Sequence, residues 1–221
     1  MAEELFEVPL FPLNVVLFPG MALPLHIFEP RYRAMIGDCL ADRAPFGVVL
    51  ALQESEPQHE TPARAGTLAR IADYERLPDD RYNLLALGTS RFEVVEPRHG
   101  RPYLTGLVRP LRDADEDAHD FPQLVANARA ALVSYLRVVL AVVGGEQREI
   151  EIPGDAEELS FLIGMCLTCD DCEKQKLLEL TSLTRRLRLG TRMLRHEADV
   201  LSKQMDSGAL HPHSNDRALL N

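Results

Sequence analysis

The chain has 221 residues, 46% of them hydrophobic and 26% charged, with a formal net charge of −10. That length allows one large or two small domains and a core that needs no disulfide staples. A field of that sign repels phosphate backbones and anionic membranes, which argues against nucleic acid or a lipid surface as the default partner.

The start, Met1-Ala2-Glu3-Glu4, is acidic and no apolar run with basic flanks follows, so a signal peptide is not expected. No apolar run reads as long enough to span a bilayer, and the best candidate, residues 138–143, is far too short. Four cysteines without a secretory context suggest no disulfide framework, and the cytoplasm is the expected location by elimination.

Three short apolar runs open the chain: residues 8–13, 15–20 and 23–32, separated by Pro and Gly. Each is too short for a helix and rich in β-branched, Leu and Phe residues, so each reads as a buried strand. Pro9, Pro12, Pro19 and Pro24 cannot donate to a ladder and belong at strand ends, bulges or corners, which suits a small closed or half-closed barrel better than a flat sheet. Glu29-Pro30 opens a helix whose apolar face is Tyr32, Met35, Ile36, Cys39 and Leu40. Residues 46–52 form the next strand, and residues 53–65 read as an exposed loop. Residues 66–76 are a strand, and Leu77-Pro78-Asp79-Asp80-Arg81 has turn chemistry, giving a hairpin. Strands follow at residues 82–87, 92–95 and 103–111.

The acidic stretch 113–120 marks a boundary. Asp120 and Pro122 then start a helix that runs to Gly144-Gly145. Asp155 starts a second, and Asp170 with Glu173 resembles a capping box opening a third that continues to about Met205, with a bend expected at Gly190. The tail, residues 207–221, is polar and expected to be disordered. The expected organisation is a β-barrel subdomain over residues 1–115, an α-helical subdomain over 116–206 and a tail over 207–221.

The opening PLFPLNVVLFPG followed by LPLHIFEPRYRAM resembles the N-terminal, substrate-binding domain of Lon-type ATP-dependent proteases, in particular its stand-alone bacterial versions. Residues 66–71, 77–82, 87–92 and 174–180 agree in order, so the resemblance runs from about Phe6 to about Leu194. It implies an α+β fold: an N-terminal PUA-like β pseudo-barrel with a covering helix, followed by a C-terminal helical bundle. It also implies a domain that engages exposed hydrophobic segments of unfolded substrates, without ATPase or protease parts. The sequence agrees, for it has no G-x-x-x-x-G-K-[ST] loop, and its lysines are Lys174, Lys176 and Lys203. The expectation is therefore a non-catalytic, protein- or peptide-binding module with no cofactor. Its partner would be an unfolded or partly folded polypeptide, or another protein.

Tyr74, Leu77 and Tyr82 are the candidate peptide-binding residues, because aromatic and apolar side chains flank an exposed turn; as ordinary strand residues they would need no such role. Other PUA-type barrels bind RNA, and Arg98, Arg101, Arg109 and Arg112 cluster near one strand pair, so RNA binding is the alternative. Cys166-x-x-Cys169-x-x-Cys172 is the sharpest metal-like pattern, but nothing nearby in sequence supplies a fourth ligand, and a helix junction explains the spacing better. His26 reads as a core or rim residue, and Glu29 with Arg31 as a helix start. Leu180, Leu187, Leu194 and Leu201 stand at heptad spacing, so self-association through the C-terminal helix is a further expectation, although the broad leucine stripe points first to the chain's own core.

Overall fold

A computed structural model of the chain describes residues 5–52, 61–114, 120–144 and 151–207. They form two compact units. The first holds the described residues up to 114 together with Asp170–Ser182; the second holds residues 120–169 and those from Leu183 on.

The first unit contains β1 (Phe6–Leu13), β2 (Ala22–Ile27), α1 (Pro30–Asp42), β3 (Phe46–Leu52), β4 (Thr61–Arg76), β5 (Tyr82–Arg98), β6 (Thr105–Pro110) and α4 (Asp171–Glu179). Its mixed sheet runs β2-β5-β4-β3-β1-β6, with β1 and β3 parallel and the remaining pairs antiparallel. The far half of β5 also pairs with β6, so the ladder closes on itself, with register shifts in three of its pairings. The result is an irregular pseudo-barrel, the α+β fold expected from sequence. One core packs α1 residues Tyr32, Met35, Ile36 and Cys39 against Phe11, Phe46, Leu84 and Tyr82. A second gathers Val8, Leu10, Val49 and Val108 around Phe92. Gly66 makes room there, since a Cβ on it would lie 2.5 Å from the Val48 carbonyl oxygen and 2.6 Å from the Phe92 ring.

α1 begins as expected, with Pro30 in its first turn and Arg31 Nε donating back to Glu29 Oε2 at 3.1 Å. Several strand readings are corrected. The middle opening run is not a strand: Val16, Leu17 and Phe18 are buried in an irregular segment. Its backbone is satisfied singly, with the Thr67 hydroxyl donating to the Leu17 carbonyl at 2.6 Å and the Gly20 N–H to the Gly88 carbonyl at 2.9 Å. The two strands expected at residues 82–87 and 92–95 are one, β5, which passes without a break through Gly88 and Thr89. Residues 61–65, expected in a loop, extend β4, while residues 53–60 lie outside the described set.

The second unit contains α2 (Phe121–Val143), α3 (Ala156–Cys166) and α5 (Leu183–Asp206), with α2 and α3 both packed on α5. Asp155 caps α3 by accepting from the Glu157 and Glu158 N–H groups. Asp120 makes no such bond; its carboxylate accepts instead from Arg188 of α5. By length and composition α2 could cross a bilayer, against the expectation that no run could. Here it buries Leu124, Ala128, Ala131, Leu132 and Tyr135.

The helix expected to run unbroken from Asp170 is two helices. α4 ends at Glu179 and α5 begins at Leu183. The break has a cause within the first unit: buried Arg91 of β5 donates to the carbonyls of Leu178 (2.8 Å) and Leu180 (2.7 Å) and pairs with Asp113. The guanidinium thus satisfies carbonyls that the end of a helix leaves without intrahelical partners. Gly190, the expected bend, lies inside a continuous helix where a Cβ would come within 2.8 Å of Ile163 Cγ2.

Candidate functional site

β4 outlasts its partner. Its pairing with β3 ends at Phe46↔Ala69, while its pairing with β5 continues to Arg76↔Tyr82. From residue 70 to 76 it therefore has one strand neighbour among the described residues. Residues 72–76 are all exposed, the mark of a strand edge that projects from the sheet. β2 pairs only with the other side of β5, so residues 22–27, 82–87 and 70–76 form a three-stranded flap.

Register assigns the faces of this flap. Pro24, Leu85 and Asp73 stand in one cross-strand row, and His26, Asn83 and Glu75 in the next on the same face. His26 Nδ1 lies 2.7 Å from Asn83 Oδ1, and Asn83 Nδ2 donates to Glu75 Oε2 at 3.4 Å. The Phe28 ring stacks on His26, with centroids 6.0 Å apart. Residues 24–26, 73–75 and 83–85 line a shallow cleft of about 530 Å³. Around it Phe28, Tyr74 and Leu85 are exposed by 60%, 52% and 40%, a concentration of apolar surface on one element group. Neither Asp73 nor Glu75 makes an ion pair among the described residues, whereas the hairpin tip is self-paired, Arg76 with Asp80 (2.6 Å) and Arg81 with Asp79 (2.5 Å).

The three sequence candidates separate here. Tyr74 lies on the open edge, and Leu77 is half-buried at the turn, where its N–H donates to the Arg81 carbonyl. Tyr82 is in the core, opposite Ile27, because strand alternation turns it inward with Leu84 and Ala86. The open edge itself was missed. Its signal is the run Asp73-Tyr74-Glu75-Arg76, where neither alternate set is apolar throughout, as befits a strand exposed on both faces.

Three arginines of the cluster, Arg98, Arg101 and Arg109, lie against carboxylates. Arg98 bonds Glu7 at 2.9 Å, and Arg109 bonds Glu93 at 2.7 Å. Arg101 donates to the Tyr103 hydroxyl at 3.0 Å and lies 3.5 Å from Asp38. Arg109 foremost, with Arg64 adding to it against burial, holds the Glu93 carboxyl below its usual range. The cysteines form no disulfide among the described residues: Cys166 ends α3 and its thiol is pushed up by burial, Cys169 follows in the loop, and Cys172 is exposed in the first turn of α4. Among the described residues no three His, Cys, Asp or Glu side chains cluster to hold a metal. His211 and His213, two tail histidines that could bind a metal adventitiously, lie outside the described set.

The fold and this surface define a class: an α+β pseudo-barrel unit with an open sheet edge, joined in sequence to a helical unit. The chain belongs to the ATP-dependent protease La (LON) substrate-binding domain family, whose model matches residues 7–196. A Lon protease of Anaeromyxobacter dehalogenans is 27% identical over 90% of the chain, and Lon protease 2 of Herpetosiphon aurantiacus is 32% identical, also over 90%. The chain spans about a quarter of the length of these curated relatives (24% and 25%) and matches their substrate-binding region only. The crystal structure of a Lon N-terminal domain protein from Xanthomonas campestris superposes with a TM-score of 0.60 at 28% identity, covering 83% of this chain and 95% of that one. The N-terminal domain of Mycobacterium avium complex Lon protease superposes at 0.67 over 86% of this chain and 98% of that one, and at 20% identity it speaks for the fold alone.

Proposed function

We propose that this chain is a non-catalytic, cytoplasmic polypeptide-binding module that engages exposed apolar segments of unfolded or partly folded proteins at the β4 edge. The observation that carries the reading is the open strand 70–76, with Leu85 and Phe28 exposed beside the cleft on one face and Tyr74 half exposed on the other. Apolar surface rimmed by polar groups and bordered by unpaired backbone suits a segment that has lost its own partners. Tyr74 and Leu77 are the proposed contact residues, while Tyr82 supports the strand from beneath. The family description supports substrate binding, and free thiols suit a reducing compartment. The pairing of Arg98 with Glu7 and of Arg109 with Glu93 weakens the RNA alternative, because each adjacent carboxylate offsets the cation's attraction for a phosphate.

The test is fluorescence anisotropy of a labelled, permanently unfolded polypeptide titrated with the protein in the absence of nucleotide. The reading expects saturable binding that a folded control lacks and that Tyr74→Ala weakens about tenfold or more, as loss of an aromatic anchor does. Failure to bind at high protein concentration contradicts it.

A further inference from the structure

The open edge carries more than apolar surface. Residues 70–76 present alternate backbone N–H and C=O groups away from β5. The Tyr74 N–H is taken meanwhile by the Asp73 carboxylate, at 2.9 Å. That bond is local, between neighbouring residues, and an incoming carbonyl can replace it and release the carboxylate. Asp73 and Glu75 project on one face of this edge, and Tyr74 between them on the other.

From this placement we infer that β4 accepts an extended peptide as an added strand, with Lys or Arg at alternate positions opposite Asp73 and Glu75 and an aromatic or aliphatic residue between them against Tyr74. The inference rests on the polypeptide-binding reading and names the segment that the site takes. Charge complementarity selects the occupant. The two carboxylates lack ion-pair partners among the described residues, and the net charge of −10 draws basic segments in. A second copy of the chain is a poor fit: pairing this edge antiparallel with itself about Tyr74 sets Asp73 opposite Glu75, and in parallel register each carboxylate meets its own kind. An acidic segment meets the same repulsion.

The experiment uses three labelled peptides with identical aromatic and aliphatic residues at one alternate set of positions. The other set is Lys in the first, Gln in the second and Glu in the third. Each is titrated against the full chain and against the Asp73→Asn/Glu75→Gln variant, whose two changes are at exposed positions, with circular dichroism to confirm the fold. The Lys peptide is expected to bind about tenfold more tightly than the Gln peptide, the scale of two cross-strand opposite-charge pairs acting together. The variant should erase that preference, leaving the three peptides with similar affinities, and N-methylation of alternate amides of the Lys peptide should abolish its binding. Equal affinity for all three peptides, or indifference to N-methylation, overturns the inference while the unfolded polypeptide still binds. If neither the peptides nor the unfolded polypeptide binds, the functional reading falls with it.

Discussion

Glu197 of α5 holds the loop that follows α3. Its carboxylate accepts from the N–H groups of Thr168 (3.0 Å) and Cys169 (2.9 Å), from the Thr168 hydroxyl (2.8 Å) and from the Tyr135 hydroxyl (2.8 Å). Burial pushes the carboxyl up, but these donors outweigh it and hold it below the usual range. Tyr135, pushed up to about 12 chiefly by burial, remains a donor at neutral pH. Because the folded value is depressed, this stabilisation is present above the unfolded carboxyl's value and is lost as pH falls through the folded one. Glu197→Gln is expected to cost on the order of 1–2 kcal/mol at pH 7 and to shrink the fall in melting temperature between neutral and acid pH; thermal unfolding across that range reads both. Nothing in the sequence singles Glu197 out, since its donors lie 28 and more positions away. Tyr74 and Tyr82 show the same limit from the other side. Both are strand tyrosines flanking one turn, and only the ladder tells which one faces water.

At the scale of elements, the decisive side chain is again a long-range one. Arg91, buried in β5, binds the carbonyls at the end of α4, and Gln175 of that helix donates to the Ala65 carbonyl of β4 at 2.9 Å. These bonds dock α4 on the sheet within the first unit. Arg91→Ala removes a buried guanidinium that bonds Asp113 and two α4 carbonyls, so a loss of about 3–5 kcal/mol is expected in chemical denaturation. A small effect would mean that α4 is held by Leu177, Leu178 and the Gln175 bond. The caps of α3 and α4, the Pro30 start of α1 and the 77–81 hairpin were legible, because each is a local signal. The α4–α5 break was not, since Leu177 to Leu187 keeps an apolar helical period and the interrupting guanidinium comes from another element. The middle opening run misled for a related reason. Its burial was right, but its backbone partners are Thr67 and Gly88 rather than a neighbouring strand.

At the scale of the molecule, the fold class was readable because the opening motif and the strand-rich half are specific, and the family match over residues 7–196 agrees. The candidate site was only half readable. Turn chemistry placed Tyr74 near an exposed hairpin, but an open edge arises from what β3 does not cover, and no residue pattern states where a partner strand stops. The same surface predicts a salt response: affinity for a basic client should fall as ionic strength rises, because the attraction acts through exposed carboxylates within about one Debye length, ~8–10 Å near physiological salt. Affinity titrations at low and high salt check it, and a salt-independent affinity would mean that Asp73 and Glu75 take no part.

The most direct measurement is amide hydrogen exchange of the whole chain with and without saturating unfolded client. Binding is expected to slow exchange at residues 70–76 of β4, the strand proposed to gain a partner. Protection confined to other segments, with β4 exchanging at its free rate, would contradict it.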